Sequence, residues 1–210
     1  MNRLIGVSGF ARSGKDTLYQ RSKYLLEKEG KKAYRFAFAD ALKEECDQFL
    51  KDNVGISAFT EDPKDKELIR SFLVTYGTEI RRKLDENCWI KKITQPIIDK
   101  LNQGYFVFVT DVRFKNEAHW IKINGGFVVN VSREGVGPAN HEEHKQYHRY
   151  KQMIGYHVAW ETFGDDKIEQ CDDHLFPLLG HLVQREPKVE VLMSSKNFPG
   201  RPTITVDDIL

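Results

Sequence analysis

Residues 9–17, GFARSGKDT, have the spacing of a phosphate-binding loop, with four residues between two glycines and a lysine directly after the second glycine. In such a loop, backbone N–H groups and the amino end of the following helix bind phosphate, and the lysine adds a positive charge. We therefore expect Arg12, Ser13, Gly14 and Lys15 to contact the phosphates of a nucleotide. The alternative is a glycine-rich turn with a surface lysine.

Asp16 stands where the pattern requires a serine or threonine to hold Mg²⁺, and a hydroxyl follows only at Thr17. A carboxylate beside a triphosphate is repelled unless a cation lies between them, and Mg²⁺ prefers carboxylate, phosphate and water oxygens. The sequence therefore predicts Asp16, directly or through water, and Thr17 as metal ligands. The alternative for Asp16 is interaction with the helix dipole, which is worth about 0.5 kcal/mol.

Asp111 is the second acidic candidate, because it ends the most apolar segment of the chain, YFVFVTD at 105–111. Ligands of open parallel sheets bind outside the carboxyl ends of the strands, and an acidic residue there is typical of phosphate-loop enzymes. An aspartate after a strand is also a common helix cap.

Composition limits the possible partners of this 210-residue chain, which is long enough for one domain over 1–210. Its 32 basic and 31 acidic residues nearly cancel, so no overall field recruits nucleic acid or an anionic membrane. The three cysteines form no Cys-x-x-Cys pair, which favours reduced thiols. With no leader and no long apolar run, we expect a cytoplasmic protein without nucleic-acid or membrane partners.

Strands and helices alternate along the chain, which predicts an α/β fold with a mainly parallel sheet of about five strands and helices on both faces. The predicted strands are 4–7, 33–38, 105–111, 127–132 and a short fifth strand at Ile168. The predicted helices are 15–30, one capped by Asp40 and running to 50, 66–84, 88–101, 116–123 and 174–183, with a loop at 52–65. Residues 186–210 form an extension with no predicted role.

Four segments resemble the bacteriophage-type deoxynucleoside monophosphate kinases over about the first 130 residues. They are SGKDT of the loop, FAFADALKE at 36–44, RSFLVTYGTEIRRKLDENCWI at 70–90 and TDVRFKNEA at 110–118. The resemblance implies a three-layer P-loop kinase fold with a mobile lid, ATP and a deoxynucleoside monophosphate as substrates, and Mg²⁺ as cofactor. It leaves a homodimer open.

The resemblance also assigns residues. Residues 13–17 would hold ATP and metal. Residues facing the acceptor nucleotide would be Arg70, Asp111, Arg113, Asn116 and Glu117, joined by Gln152, Gly155 and Trp160 from a looser match near the C-terminus. The expected catalytic residues are Lys15, Arg70, Asp111, Arg113 and Arg149.

Arginines matter more than a general base in such a reaction, because charge on the moving phosphoryl group must be neutralised. Arg70 and Arg81 are about three turns apart on one predicted helix and so share a face. For Arg82 we favour simple solvation. Trp89 and Tyr76 either stack on a base or fill the core.

Residues 133–164 are polar and are interpreted as the lid, with Lys145, Arg149 and Lys151 closing over the phosphates. His144 and His148 have the i, i+4 spacing of a zinc site, but Lys145 stands where the hydrolase pattern needs glutamate. We therefore expect no metal there.

The sequence thus predicts an ATP-dependent kinase of deoxynucleoside monophosphates. Two alternatives remain: another small P-loop kinase, acting on dephospho-coenzyme A or a nucleoside, and a P-loop NTPase module that is not a kinase.

Overall fold

The computed structural model describes residues 3–162 and 165–184, so the predicted extension at 186–210 lies outside the described residues. The strands are β1 (Leu4–Ser8), β2 (Ala33–Phe36), β3 (Phe106–Val112), β4 (Phe127–Arg133) and β5 (Ile154–Trp160). The helices are α1 (Lys15–Lys28), α2 (Phe38–Val54), α3 (Pro63–Val74), α4 (Arg82–Leu84), α5 (Cys88–Asn102), α6 (Lys115–Ile123), α7 (His141–Tyr150) and α8 (Cys171–Gln184). A π-helical segment, Thr75–Arg81, joins α3 to α4.

The five strands form one parallel sheet in the order β2-β3-β1-β4-β5, which confirms the predicted α/β class. β1 is buried throughout because helices cover both faces, as its continuous apolar run predicts. On one face Leu4 and Val107 pack under α2, α5 and α6. On the other, Ile5 and Phe108 pack under α1 and α8.

The predicted fifth strand at Ile168 is wrong, because residues 165–170 form a 3₁₀ helix and the fifth strand is β5. β5 is an edge strand that alternates exposed and covered residues, so glycine and histidine in it resemble a polar loop. The predicted lid range 133–164 therefore contains a strand of the sheet, and a helix, α7, precedes it.

Two further boundaries differ from the predictions. α2 begins at Phe38 and its N-cap residue is Ala37, whose side chain cannot cap it, while Asp40 lies within the helix and pairs with Arg35 at 2.7 Å. The predicted loop at 52–65 is shorter, because α2 continues to Val54 and Asp62 caps α3, where Pro63 occupies the first turn.

The predicted helix at 66–84 is confirmed, but its middle is a π-helix. A π turn bonds residue i to i+5, so it takes about one residue more than an α turn of 3.6. The faces of the helix before and after the π segment are therefore out of α-helical register.

The three cysteines, Cys46, Cys88 and Cys171, are free and buried, and burial raises the pKa of each thiol. Within the described ranges no helix combines the length and the apolar character needed to cross a membrane.

Candidate active site

The phosphate loop connects β1 to α1 at the carboxyl edge of the sheet. Gly14 has φ 94°, a left-handed conformation that glycine adopts without strain, and Arg12 is left-handed at φ 65°. The Lys15 ammonium donates to the carbonyl oxygens of Gly9 and Phe10 at 2.9 and 2.8 Å. Lys15 is thus folded back over the loop, and the strand-loop-helix context expected from the sequence is present.

Burial is the main influence on the Lys15 ammonium and lowers its pKa, and the nearby Arg113 guanidinium lowers it further. Glu143, Asp16 and Asp111 oppose the shift. These influences also show that the loop and the end of β3 lie close enough to interact electrostatically.

Asp16 and Thr17 lie in the first turn of α1, and the Asp16 side chain is exposed. The N-cap residue of this helix is Gly14, which has no side chain to cap it, and the exposed Asp16 carboxylate is accessible to a ligand. A carboxylate and a hydroxyl are hard oxygen donors that suit Mg²⁺, which takes its other ligands from phosphates and water. No cluster of three or more metal-binding side chains occurs in the described part of the chain, so these residues fit a metal only together with a nucleotide.

Trp160 contacts the phosphate loop instead of the acceptor cavity described below. Its indole Nε1 donates to the carbonyl oxygen of Ser13 at 3.0 Å, and its ring lies against Gly14. The sequence match had assigned it to the acceptor, because spacing alone does not show which side of the strand end the ring faces.

Glu143 of α7 also reaches the loop, a contact that the sequence reasoning missed. Its carboxylate accepts the N–H of Ala11 at 3.2 Å and that of Ala139 at 2.7 Å. The rings of Phe10 and Tyr147 lie 5.4 Å apart beside this contact. Asn140 followed three residues later by Glu143 is a recognisable helix start, and it was the available signal.

Beside the loop lies a cavity of about 370 Å³, which we call the acceptor cavity. Its wall combines apolar and aromatic side chains with cationic ones. The apolar group includes Phe38, Leu42, Ile69, Leu73, Trp89 and Phe114. The cationic group consists of Lys43, Lys66, Arg70, Arg82 and Arg113, and two carboxylates, Asp111 and Glu117, complete the polar wall.

Asp111 lies at the end of β3, as predicted, and fixes the amino end of α2. Its two carboxylate oxygens accept the N–H groups of Phe38 and Ala39 at 2.9 and 2.8 Å. Burial raises the pKa of Asp111, and the two amide hydrogen bonds oppose that rise. Asp111 therefore positions the wall of the cavity.

Glu117 is 1% exposed and organises the loop after β3. It accepts the N–H groups of Arg113 and Phe114 at 2.8 and 3.0 Å and pairs with Arg82 at 2.5 Å. The Arg82 guanidinium lies 4.1 Å from the Phe114 ring centre. Burial raises the pKa of Glu117, and Arg82 opposes the shift. The carboxylate is thus committed to protein partners, although it was expected to read the acceptor.

The π segment explains why the two adjacent arginines exchange their expected places. An α-helix would carry Arg81 onto the face of Arg70, but the extra residue of the π turn brings Arg82 there instead. Arg81 turns away and pairs with Glu45 at 2.7 Å. The expectation that Arg82 is merely solvated is therefore wrong.

One aromatic residue, Tyr76, lies within the π segment, and another, Trp89 of α5, is hydrogen-bonded to it. Trp89 is 2% exposed and donates its indole N–H to the carbonyl of Gly77 at 3.2 Å, while Tyr76 donates to Glu45 at 2.6 Å. That bond with Glu45 raises the pKa of Tyr76 to about 12. Both fill space, and Trp89 also lines the cavity.

Arg70 and Arg113 are exposed at the cavity, and in the part of the chain that the structure describes no carboxylate forms an ion pair with either. Exposed, unpaired guanidinium groups are free to bind an anion by two parallel hydrogen bonds. Both residues line the acceptor cavity, and their role in binding the acceptor nucleotide stays a prediction.

The structure does not bring the other predicted residues to this cavity. The Asn116 amide donates to Glu86 O at 2.8 Å and to Asn87 Oδ1 at 3.0 Å, and with Arg149 it lines a neighbouring depression. Gln152 and Gly155 are exposed at the amino end of β5, whereas the phosphate loop lies at the carboxyl end of the sheet. Gly155 precedes Trp160 by five residues, which is about 16 Å along the strand.

Comparison with known proteins gives a family match and several more distant similarities. The family model described as phosphomevalonate kinase matches residues 7–126. A protein of Acanthamoeba polyphaga mimivirus named "Putative deoxynucleotide monophosphate kinase" is 29% identical over 155 residues, covering 63% of this chain and 75% of that protein.

Similar solved structures include a dephospho-CoA kinase from Campylobacter jejuni, which is 12% identical with a TM-score of 0.47 and covers 88% of this chain and 98% of its own. A shikimate kinase from Acinetobacter baumannii, solved in complex with shikimate, is 11% identical with a TM-score of 0.41. The match covers 86% of this chain and 95% of the shikimate kinase.

Proposed function

The chain belongs to the phosphomevalonate kinase family, and from this premise we propose that it transfers the γ-phosphoryl group of ATP to a deoxynucleoside 5′-monophosphate, forming ADP and a deoxynucleoside diphosphate. The observation that carries the proposal is the acceptor cavity, which combines unpaired arginines with an aromatic and apolar wall beside the phosphate loop. A monophosphate and a flat base need these two surfaces.

The phosphate loop supplies the donor side of the proposed reaction. Backbone N–H groups of residues 12–17 and the Lys15 ammonium bind the ATP phosphates, and binding draws Lys15 away from the carbonyls of Gly9 and Phe10. Asp16 and Thr17 would hold Mg²⁺, which neutralises charge between the phosphates when bound.

The cationic wall supplies the acceptor side. Arg70 and Arg113 bind the acceptor phosphate and the charge that spreads over the transferred group. The Arg113 guanidinium lowers the pKa of the Lys15 ammonium, so its positive charge acts on the phosphate loop as well as on the acceptor cavity that it lines. Arg82 adds a positive charge held in place by Glu117.

Two observations favour a nucleotide over phosphomevalonate as acceptor. The relative from mimivirus is named "Putative deoxynucleotide monophosphate kinase". The cavity wall also includes Phe38, Trp89 and Phe114, which suit a flat ring better than a short acyclic chain.

The test is formation of ADP from Mg-ATP with dAMP, dGMP, dCMP, dTMP, phosphomevalonate or dephospho-coenzyme A offered singly. We expect turnover with at least one deoxynucleoside monophosphate, and its loss in Arg113→Ala, which we expect to stay folded because the Arg113 side chain is exposed. Turnover with phosphomevalonate and with none of the deoxynucleoside monophosphates would contradict the proposed acceptor.

A further inference from the structure

We propose that Trp160 is a positioning residue for the donor nucleotide: its indole N–H fixes the peptide between Ser13 and Gly14 in the orientation that binds phosphate. The proposal rests on the proposed function in one respect, namely that the loop binds ATP. It assigns to the last strand of the sheet a part in a site that otherwise belongs to the first strand and helix.

The contact is between groups removed from water. Ser13 is 1% exposed and Trp160 is 5% exposed, and they are joined at 3.0 Å across 147 residues of sequence. A buried carbonyl that loses its donor costs more than an exposed one, because water cannot replace the bond. The indole is therefore a strong constraint on this peptide.

The direction of the constraint follows from peptide geometry. In a planar trans peptide the C=O of one residue and the N–H of the next point in opposite directions. Since the Ser13 carbonyl points at Trp160, the N–H of Gly14 points away from the indole. That is the side on which the loop presents its amides to an anion.

The ring itself enforces the same conformation. A Cβ built on Gly14 would lie 2.7 Å from Cζ2 of Trp160, so the ring occupies the space of any side chain there. Gly14 is left-handed at φ 94°, which a residue with a side chain would adopt only with strain. The requirement for glycine therefore comes partly from the tryptophan.

Trp160 is in turn held rigidly by the sheet edge. It is the last residue of β5 and is paired with Arg133 of β4. Glu134 donates its N–H to the Trp160 carbonyl at 3.2 Å. The indole is thus mounted on regular structure, as precise positioning requires.

The test compares Trp160→Phe, which keeps a ring but removes the N–H donor, with Trp120→Phe as matched control. Trp120 is also buried, at 4% exposure, but its indole nitrogen has no hydrogen-bond partner among residues 3–162 and 165–184. We expect Trp160→Phe to raise the Kd of ATP about five- to tenfold in calorimetry. The KM of the acceptor should stay within about twofold, and Trp120→Phe should bind ATP like the wild type.

A Trp160→Phe variant that binds ATP as tightly as the wild type overturns the proposal. If this variant does not fold, ¹⁹F NMR of the chain labelled with 5-fluorotryptophan decides, with Trp89→Phe and Trp120→Phe used to assign the signals. The Trp160 signal should shift on addition of a non-hydrolysable ATP analogue, and an unmoved signal contradicts the proposal. The calorimetric and NMR measurements omit the acceptor, so failure of the proposed kinase reaction alone leaves their result standing.

Discussion

Removing Arg82 should damage both stability and acceptor binding, and the two effects can be separated. The Glu117 partner is 1% exposed and the Arg82 side chain 13%, so Arg82→Met leaves a buried carboxylate without its counter-charge. Breaking a buried pair from one side costs about 3–5 kcal/mol, and we expect about 3 kcal/mol here in the free energy of unfolding.

Arg81→Met is the matched control, because it removes the same side chain one residue earlier. Its pair with Glu45 is more exposed, at 30% and 19%, so the expected loss is about 1 kcal/mol. The double variant Arg82→Met/Glu117→Gln removes both charges and keeps an oxygen for the two N–H groups of the loop. It should recover about 2 kcal/mol relative to Arg82→Met.

Urea denaturation at neutral pH measures all three variants. Steady-state kinetics of the folded double variant then measure how much the Arg82 charge contributes to acceptor binding. We expect the KM of the acceptor to rise about tenfold, equivalent to about 1.4 kcal/mol. Equal destabilisation by Arg81→Met and Arg82→Met, or a double variant no more stable than Arg82→Met, would refute the pairing and the π-helical register behind it.

Four further changes test the site. The affinity for ATP should fall as the pH is raised, with a midpoint below 10.5, because burial lowers the pKa of the Lys15 ammonium and the neutral amine binds phosphate less well. In calorimetry, Lys15→Arg should not show this fall in affinity, because arginine stays protonated. Asp16→Asn should raise the Mg²⁺ concentration needed for half-maximal turnover. An unchanged Mg²⁺ titration would show that Asp16 interacts with the helix dipole and is not a metal ligand. Gly77→Ala should lower the free energy of unfolding by about 1–3 kcal/mol, since its Cβ would meet Leu42 Cδ2 at 2.7 Å; a neutral result in urea denaturation contradicts this. Glu143→Gln should lower the Kd of ATP, because a carboxylate now near the Lys15 ammonium would repel phosphate; weaker binding in calorimetry contradicts this.

The phosphate loop and most strands of the sheet could be predicted from local sequence patterns. The run before Gly9 and the run ending at Asp111 are apolar because both faces of these central strands are covered, so sequence alone identifies them. β5 was not predicted because an edge strand buries few residues, so its sequence lacks a continuous apolar run. His157 within it is exposed. Because β5 was not recognised as a strand, the contact of Trp160 with the phosphate loop could not be predicted either.

The cavity was harder to predict, because helix faces depend on exact periodicity. Arg81 and Arg82 differ by one position, and a single π turn decides which one faces the acceptor. No propensity in TYGTEIR specifies that turn; Gly77, packed against Leu42 and bonded to Trp89, becomes interpretable only in the folded chain. Residue chemistry therefore predicted the kind of site, and tertiary packing chose its members.

The most direct test of the central claim is the stoichiometry of phosphoryl transfer from γ-labelled Mg-ATP in the presence of single deoxynucleoside monophosphates. The account predicts that label moves from ATP to a deoxynucleoside diphosphate, with one ADP formed for each diphosphate. Release of labelled phosphate at a rate that no monophosphate stimulates would contradict it.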